Sequence, residues 1–165
     1  RHTLSSLGPQ VQASRMVQEY VETQYTPAAT AVELADAEGF RVARELASYR
    51  ERLSGAWPHV RVTSCDLSLN GSDTPTLGER VAVRASVELA GLSTSDVQVQ
   101  AVIGRVADSD ELYDVVTVPM NPDAEGTYSA EVARPHAGSL GVTARVLPNH
   151  ELLATPVELG RVVLA

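Results

Sequence analysis

Asp108-Ser109-Asp110, with Asp114 beyond, offers carboxylates at a spacing that could ligate a calcium ion. The loop pattern for that ion fails, because Leu112 and Tyr113 stand where a ligand and the obligatory glycine belong. A solvated hairpin turn is the competing reading. The four histidines, His2, His59, His136 and His150, are far apart, and none is four residues from another metal-binding side chain. Each is read as a surface or turn histidine. Cys65 is the single cysteine, so neither a disulfide framework nor a Cys-x-x-Cys ligand pair can form within the chain. That fits a reducing compartment, with the cytoplasm as the expected location. Trp57 and Tyr113 could stack on a sugar ring, although Trp57 is more naturally a packing anchor. Asn70-Gly71-Ser72 matches a glycosylation acceptor and equally a two-residue turn.

What is missing narrows the chemistry further. All 13 basic residues are arginine and no lysine occurs, so the chain can form no Schiff base with pyridoxal phosphate or a carbonyl substrate, and it has no phosphate-loop lysine. Nucleophile-elbow and dinucleotide-binding glycine motifs are absent too. The acids lie in turns and on polar strand faces, with nothing to single out a pair for glycoside hydrolysis. The net charge of −8 argues against nucleic acid and anionic membranes, because a polyanion needs a positive footprint to release its counterions. The expectation is therefore that these residues include no catalytic, cofactor-binding or metal-binding position.

The elements that would position such groups change once along the chain. Before Trp57-Pro58 the apolar period is helical. Gly8-Pro9 suits a helix start, and Met16, Val17, Tyr20 and Val21 form a stripe. Thr26-Pro27 predicts an interruption and a new N-cap. A second helix then carries Val32, Ala35, Phe40, Ala43, Leu46, Tyr49 and Leu53, and Gly39 is a point where it can break.

After Pro58 the period shortens to two. Val81, Val83, Ala85, Val87 and Leu89 alternate with polar residues, as do Val97, Val99, Ala101 and Ile103, and Leu140, Val142, Ala144 and Val146. Further strands are expected over 60–69, 112–120, 127–133 and 158–164, with turns at Asn121-Pro122-Asp123 and other Gly, Pro and Asp clusters. Val60 and Val62 are out of phase with Cys65, Leu67 and Leu69, which places a bulge near Thr63-Ser64. The predicted architecture is an α+β fragment. Residues 1–57 are a helical segment and 58–165 an antiparallel, immunoglobulin-like β-sandwich of about seven strands, without that fold's Cys…Trp…Cys signature. A chain of 165 residues suffices for such a core, burying about 70% of the unfolded surface. No apolar run approaches the roughly 18 residues of a membrane span. The start at Arg1, without initiator methionine or signal pattern, is read as that of an excised piece.

The run Ser14-Arg15-Met16-Val17-Gln18-Glu19-Tyr20-Val21-Glu22, followed by Tyr25-Thr26-Pro27-Ala28-Ala29, resembles a late helix of retaining α-glucan phosphorylases. Trp57-Pro58-His59-Val60-Arg61-Val62, Gly104-Arg105-Val106, Arg145-Val146-Leu147-Pro148-Asn149-His150 and Pro156-Val157-Glu158-Leu159-Gly160 look like the extra C-terminal domain of actinobacterial glycogen or maltodextrin phosphorylases. The resemblance covers essentially the whole chain. It implies a glycosyltransferase parent that cleaves α-1,4-glucan with inorganic phosphate to glucose 1-phosphate. It also implies pyridoxal phosphate on a lysine that this sequence lacks, so no site residue carries over. The helices would then complete the parent's catalytic lobe, with the rest of that polypeptide as partner and self-association through the helical segment. The alternative is a stand-alone β-sandwich module that binds glucan or protein, for which 4% aromatic residues is poor provision.

Overall fold

The computed structural model describes residues 13–69, 78, 80–107, 111–124, 126–136 and 138–165. The predicted helix start at Gly8-Pro9, the Asn70-Gly71-Ser72 turn, His2 and the Asp108-Ser109-Asp110 cluster lie outside them. The chain forms two compact units, one ending at Tyr49 and the other spanning Arg50–Ala165.

In the first unit, α1 (Ala13–Tyr20) passes into a π-helical turn (Val21–Tyr25) and then α2 (Thr26–Ala56), whose last turns belong to the second unit. The interruption expected at Thr26-Pro27 takes the form of this π turn, with the second α-helix starting at Thr26, and not of a helix end with a new N-cap. Thr26 is helical (φ −65°, ψ −48°), and its N–H donates to the Val21 carbonyl, five residues back. Pro27 has no N–H, and in a regular helix its ring would crowd the Thr23 carbonyl. Widening the preceding turn by one residue removes that conflict without ending the helix. Side-chain hydroxyls follow the same path, Thr23 donating to the Glu19 carbonyl at 2.6 Å and Thr30 to that of Thr26 at 3.1 Å. Within α2, Gly39 (φ 64°) and Phe40 (φ 65°) both take left-handed backbone, which locally interrupts the right-handed spiral at the point where the sequence allowed a break. The second stripe also differs from expectation. Phe40 is exposed, whereas burial follows Val42, Leu46, Tyr49 and Leu53. Met16, Val17, Tyr20 and Val21, the stripe of α1 and the π turn, are each 45% to 56% exposed.

In the second unit the last helical turns lead through a 3-10 turn (Trp57–His59) into eight strands. These are β1 (Arg61–Leu69), β2 (Arg80–Glu88), β3 (Val97–Val106), β4 (Leu112–Pro119), β5 (Asn121–Ala124), β6 (Thr127–Ala133), β7 (Leu140–Pro148) and β8 (Val163–Leu164). They form two antiparallel four-stranded sheets, ordered β1-β2-β6-β5 and β4-β3-β7-β8. The alternating residues read from the sequence are the buried ones: Val81, Val83, Ala85 and Val87 on β2, and Val97, Val99, Ala101 and Ile103 on β3. The register of β1 against β2 shifts between Val62 and Ser64, and Thr63 is the extra residue, its hydroxyl donating to the Ser86 carbonyl at 3.2 Å.

Two strand expectations need correction. Among the described residues eight strands form rather than about seven, because Asn121–Ala124 pairs with β6 instead of turning. Pro122 is tolerated there because β5 is an edge strand, where the missing N–H faces solvent. The strand expected over 158–164 shrinks to Val163–Leu164, since Glu158 N–H bonds to the Thr155 carbonyl and Gly160 N–H to that of Val157, closing turns in its first half. No described helix is long and apolar enough to cross a membrane.

Candidate functional site

Among the described residues, no three His, Cys, Asp or Glu side chains gather as metal ligands would. Asp114 lies within β4 at φ 51°, and its backbone carbonyl accepts a hydrogen bond from His136 Nε2 at 2.7 Å. His150 Nδ1 accepts from the Leu152 N–H at 3.2 Å, and His59 closes the 3-10 turn. The histidines described are thus dispersed, as their spacing implied. Trp57 is 7% exposed and cannot offer a stacking platform, while Tyr113 is 46% exposed.

Cys65 is half-buried, and burial, helped by the neighbouring Asp66 charge, pushes its thiol up from 9.0 to about 11. The thiolate that nucleophilic chemistry requires is scarce at neutral pH in such a setting.

The most connected polar cluster lies where β3 begins. Asp96 accepts from the Ser93 N–H at 2.9 Å and the Ser93 hydroxyl at 2.7 Å, and Arg52 approaches it at 3.4 Å. Asn149, just after β7, closes the group by donating its N–H to the Asp96 carbonyl at 2.9 Å and its side-chain amide to that of Ser95 at 3.0 Å. On the far side, Arg161 donates to the Ser54 hydroxyl at 3.0 Å. Burial raises the Asp96 carboxyl, but the two Ser93 donors and the Arg52 guanidinium outweigh it and hold the group below its ordinary value. A depressed folded-state pKa contributes stability above the ordinary value of 3.8 and loses it as pH falls through the folded value. The unfolding midpoint should therefore drop on acidification below about pH 4, and Asp96→Asn should flatten that drop; equal acid sensitivity of the variant would contradict this.

Beside this cluster is an open concavity of about 490 Å³, lined by residues 87–93 and Gly126. It is built on a turn in which Leu92 N–H bonds to the Leu89 carbonyl and Ala90 (φ 53°) and Gly91 (φ 87°) both have positive φ. Among the described residues Glu88 is the one ionisable group that lines it, and the Ser93 hydroxyl is already engaged with Asp96. The described lining residues bring together no base, nucleophile and electrostatic stabiliser of the sort a reaction requires. The clamp was not legible beforehand, because Arg52 and Asp96 are 44 residues apart. A Ser three residues before an Asp was the only available hint.

Comparison with known proteins supplies what the geometry does not. Residues 57–165 match the family described as glycogen phosphorylase C-terminal domain. The whole chain is 47% identical, over 170 aligned residues, to the glycogen phosphorylase of Mycobacterium bovis, covering 20% of that protein. The glycogen phosphorylase of Mycobacterium tuberculosis matches to the same extent. The maltodextrin phosphorylase of Thermococcus litoralis is 27% identical over 108 residues, 66% of this chain and 12% of that protein. The chain spans about a fifth of the length of the mycobacterial relatives it matches.

Proposed function

The chain belongs to the glycogen phosphorylase C-terminal domain family, and from that premise we propose that it is the non-catalytic end of an α-glucan phosphorylase. The parent would be a cytoplasmic glycosyltransferase that cleaves α-1,4-glucan with inorganic phosphate to glucose 1-phosphate. The observation that carries this reading is the 47% identity along the full chain to a glycogen phosphorylase.

Within that parent the helical unit completes the catalytic lobe. The exposure of Met16, Val17, Tyr20 and Val21 supports this, because an apolar stripe facing water favours association with a covering surface. In the isolated chain the same stripe drives self-association. The β unit steadies the lobe or an oligomer contact. The strand orders β1-β2-β6-β5 and β4-β3-β7-β8 support reading its two sheets as an immunoglobulin-like sandwich, since they follow that fold's A-B-E-D and C′-C-F-G arrangement. The domain limits proposed are 1–57 and 58–165.

Pyridoxal phosphate does not fit this chain. With no lysine among its 165 residues, nothing here can anchor the cofactor, and any such group in the parent is held by residues outside this sequence.

The isolated chain, given maltodextrin and phosphate with or without pyridoxal phosphate, is expected to release no glucose 1-phosphate. Measurable release would overturn the proposal. In sedimentation the chain should associate, and removing residues 1–49 should return it to a monomer; a strict monomer unaffected by that deletion would count against the helical role.

A further inference from the structure

Resting on the phosphorylase reading, we propose that the outer edge of β4, carrying Tyr113, Val115 and Val116, is a docking surface for another part of the same parent polypeptide. These three side chains are 46%, 50% and 37% exposed. They sit on an edge strand whose Val115-Val116-Thr117-Val118 run contains no charge. Edge strands in water are normally blunted by charges, bulges or a covering segment, because an open row of N–H and C=O groups invites pairing; Asp114 and its bulge do this at the start of β4, and residues 115–118 carry no such device.

The edge is held in shape by several independent contacts. Opposite β3 the register shifts between Ile103 and Arg105, and Asp114 in the bulge takes φ 51°, an uncommon conformation for a residue with a side chain. His136 donates from Nε2 to the Asp114 carbonyl at 2.7 Å and pins the bulge. Arg134 braces that loop, donating to the carbonyls of His136 and Gly138. These contacts fix the backbone that carries Tyr113 and Val115, both of which remain about half exposed.

Charge is distributed the other way. The first sheet sets Arg61 opposite Glu88 and Asp66 opposite Arg84, and joins Arg80 to Glu131 at 3.2 Å, as a face in contact with water does. The parent polypeptide is the occupant favoured. This chain covers only 20% of its mycobacterial relative, so most of such a polypeptide lies outside it, tethered at high effective concentration. A second copy would have no such advantage, and a glucan would find one exposed ring, Tyr113, among the three side chains.

The test compares amide hydrogen exchange of residues 112–118 in this chain with the same residues in the full-length phosphorylase. Exchange is expected to be about tenfold or more slower in the full-length protein. Replacing Tyr113→Ser and Val115→Thr together in the full-length protein should return it toward the isolated rate, with the unfolding midpoint of the isolated chain nearly unchanged. Equal rates in the two unmodified proteins would overturn the proposal. So would slowing that disappears on dilution, which identifies a second copy, or slowing of the isolated chain by maltoheptaose, which identifies sugar. Amides of residues 16–21 separate the two readings. If they slow in the full-length protein while 112–118 do not, docking through β4 fails alone; if neither slows, the reading of the chain as an integral part of a phosphorylase fails with it.

Discussion

Gly104→Ala is expected to lower the stability of the β unit by about 3 kcal/mol, the upper part of the range for overpacking a well-filled site. A Cβ at this position would lie 2.7 Å from the Tyr113 carbonyl oxygen and 2.9 Å from Val115 Cγ1. The first of these is main chain, held in place by β4 pairing and by the bulge at Asp114, so it cannot rotate aside. Gly141, directly opposite Gly104 in the register of β3 with β7, provides an internal comparison. There a Cβ meets only the side-chain ends of Leu112 and Val106, at 2.5 and 2.9 Å, and those can shift. Gly141→Ala should therefore cost less. Gly55, in the helix with nothing within 4 Å of its added Cβ, should tolerate alanine or gain up to about 1 kcal/mol from helix propensity. Urea midpoints of the three variants check the order, and a Gly104→Ala protein as stable as its parent would refute the close approach.

Leu53→Ala carries a similar expected loss, about 3 kcal/mol, from lost transfer energy and the cavity left behind. Leu53 is 0% exposed, one helical turn before Trp57 at 7%. It is the fourth residue of the unit that begins at Arg50 and lies four residues ahead of the family match, which begins at residue 57. Nearby polar contacts do not substitute for it. The Arg52 side chain is 59% exposed, so Arg52→Ala should cost no more than about 1 kcal/mol. Leu53→Met, which conserves volume, should stay within about 1.5 kcal/mol of the parent. Denaturation followed through Trp57 fluorescence distinguishes the three, and a Leu53→Ala midpoint equal to that of Arg52→Ala would show that the last helical turns do not share the β unit's core.

Local signals in the sequence were enough for the central strands. Period-two alternation located β2 and β3 and their buried residues, and the phase conflict between Val62 and Cys65 located the bulge at Thr63. The misread segments are those in which a local rule was overridden by position. Asn121-Pro122-Asp123 has turn chemistry yet pairs as a strand, because only its place at the sheet edge makes proline acceptable. Pro27 has breaker chemistry yet stays within a helix, because the wide turn ahead of it relieves its ring. Contacts between distant residues left no local trace at all. His136 meets Asp114 across 22 residues, and Asn149 reaches Ser95 across 54, so neither the β4 bulge nor the Asp96 clamp has a pattern that a window along the chain would register.

The π turn at Val21–Tyr25 also determines aim. Each residue advances a regular helix by about 100°, so a single added position ahead of Pro27 swings everything on its N-terminal side around the axis by roughly that angle. Excising one of these five residues would leave Met16, Val17 and Tyr20 intact in sequence but pointed about a quarter-turn away, so that a surface shaped to receive them would meet Arg15 or Glu19 instead.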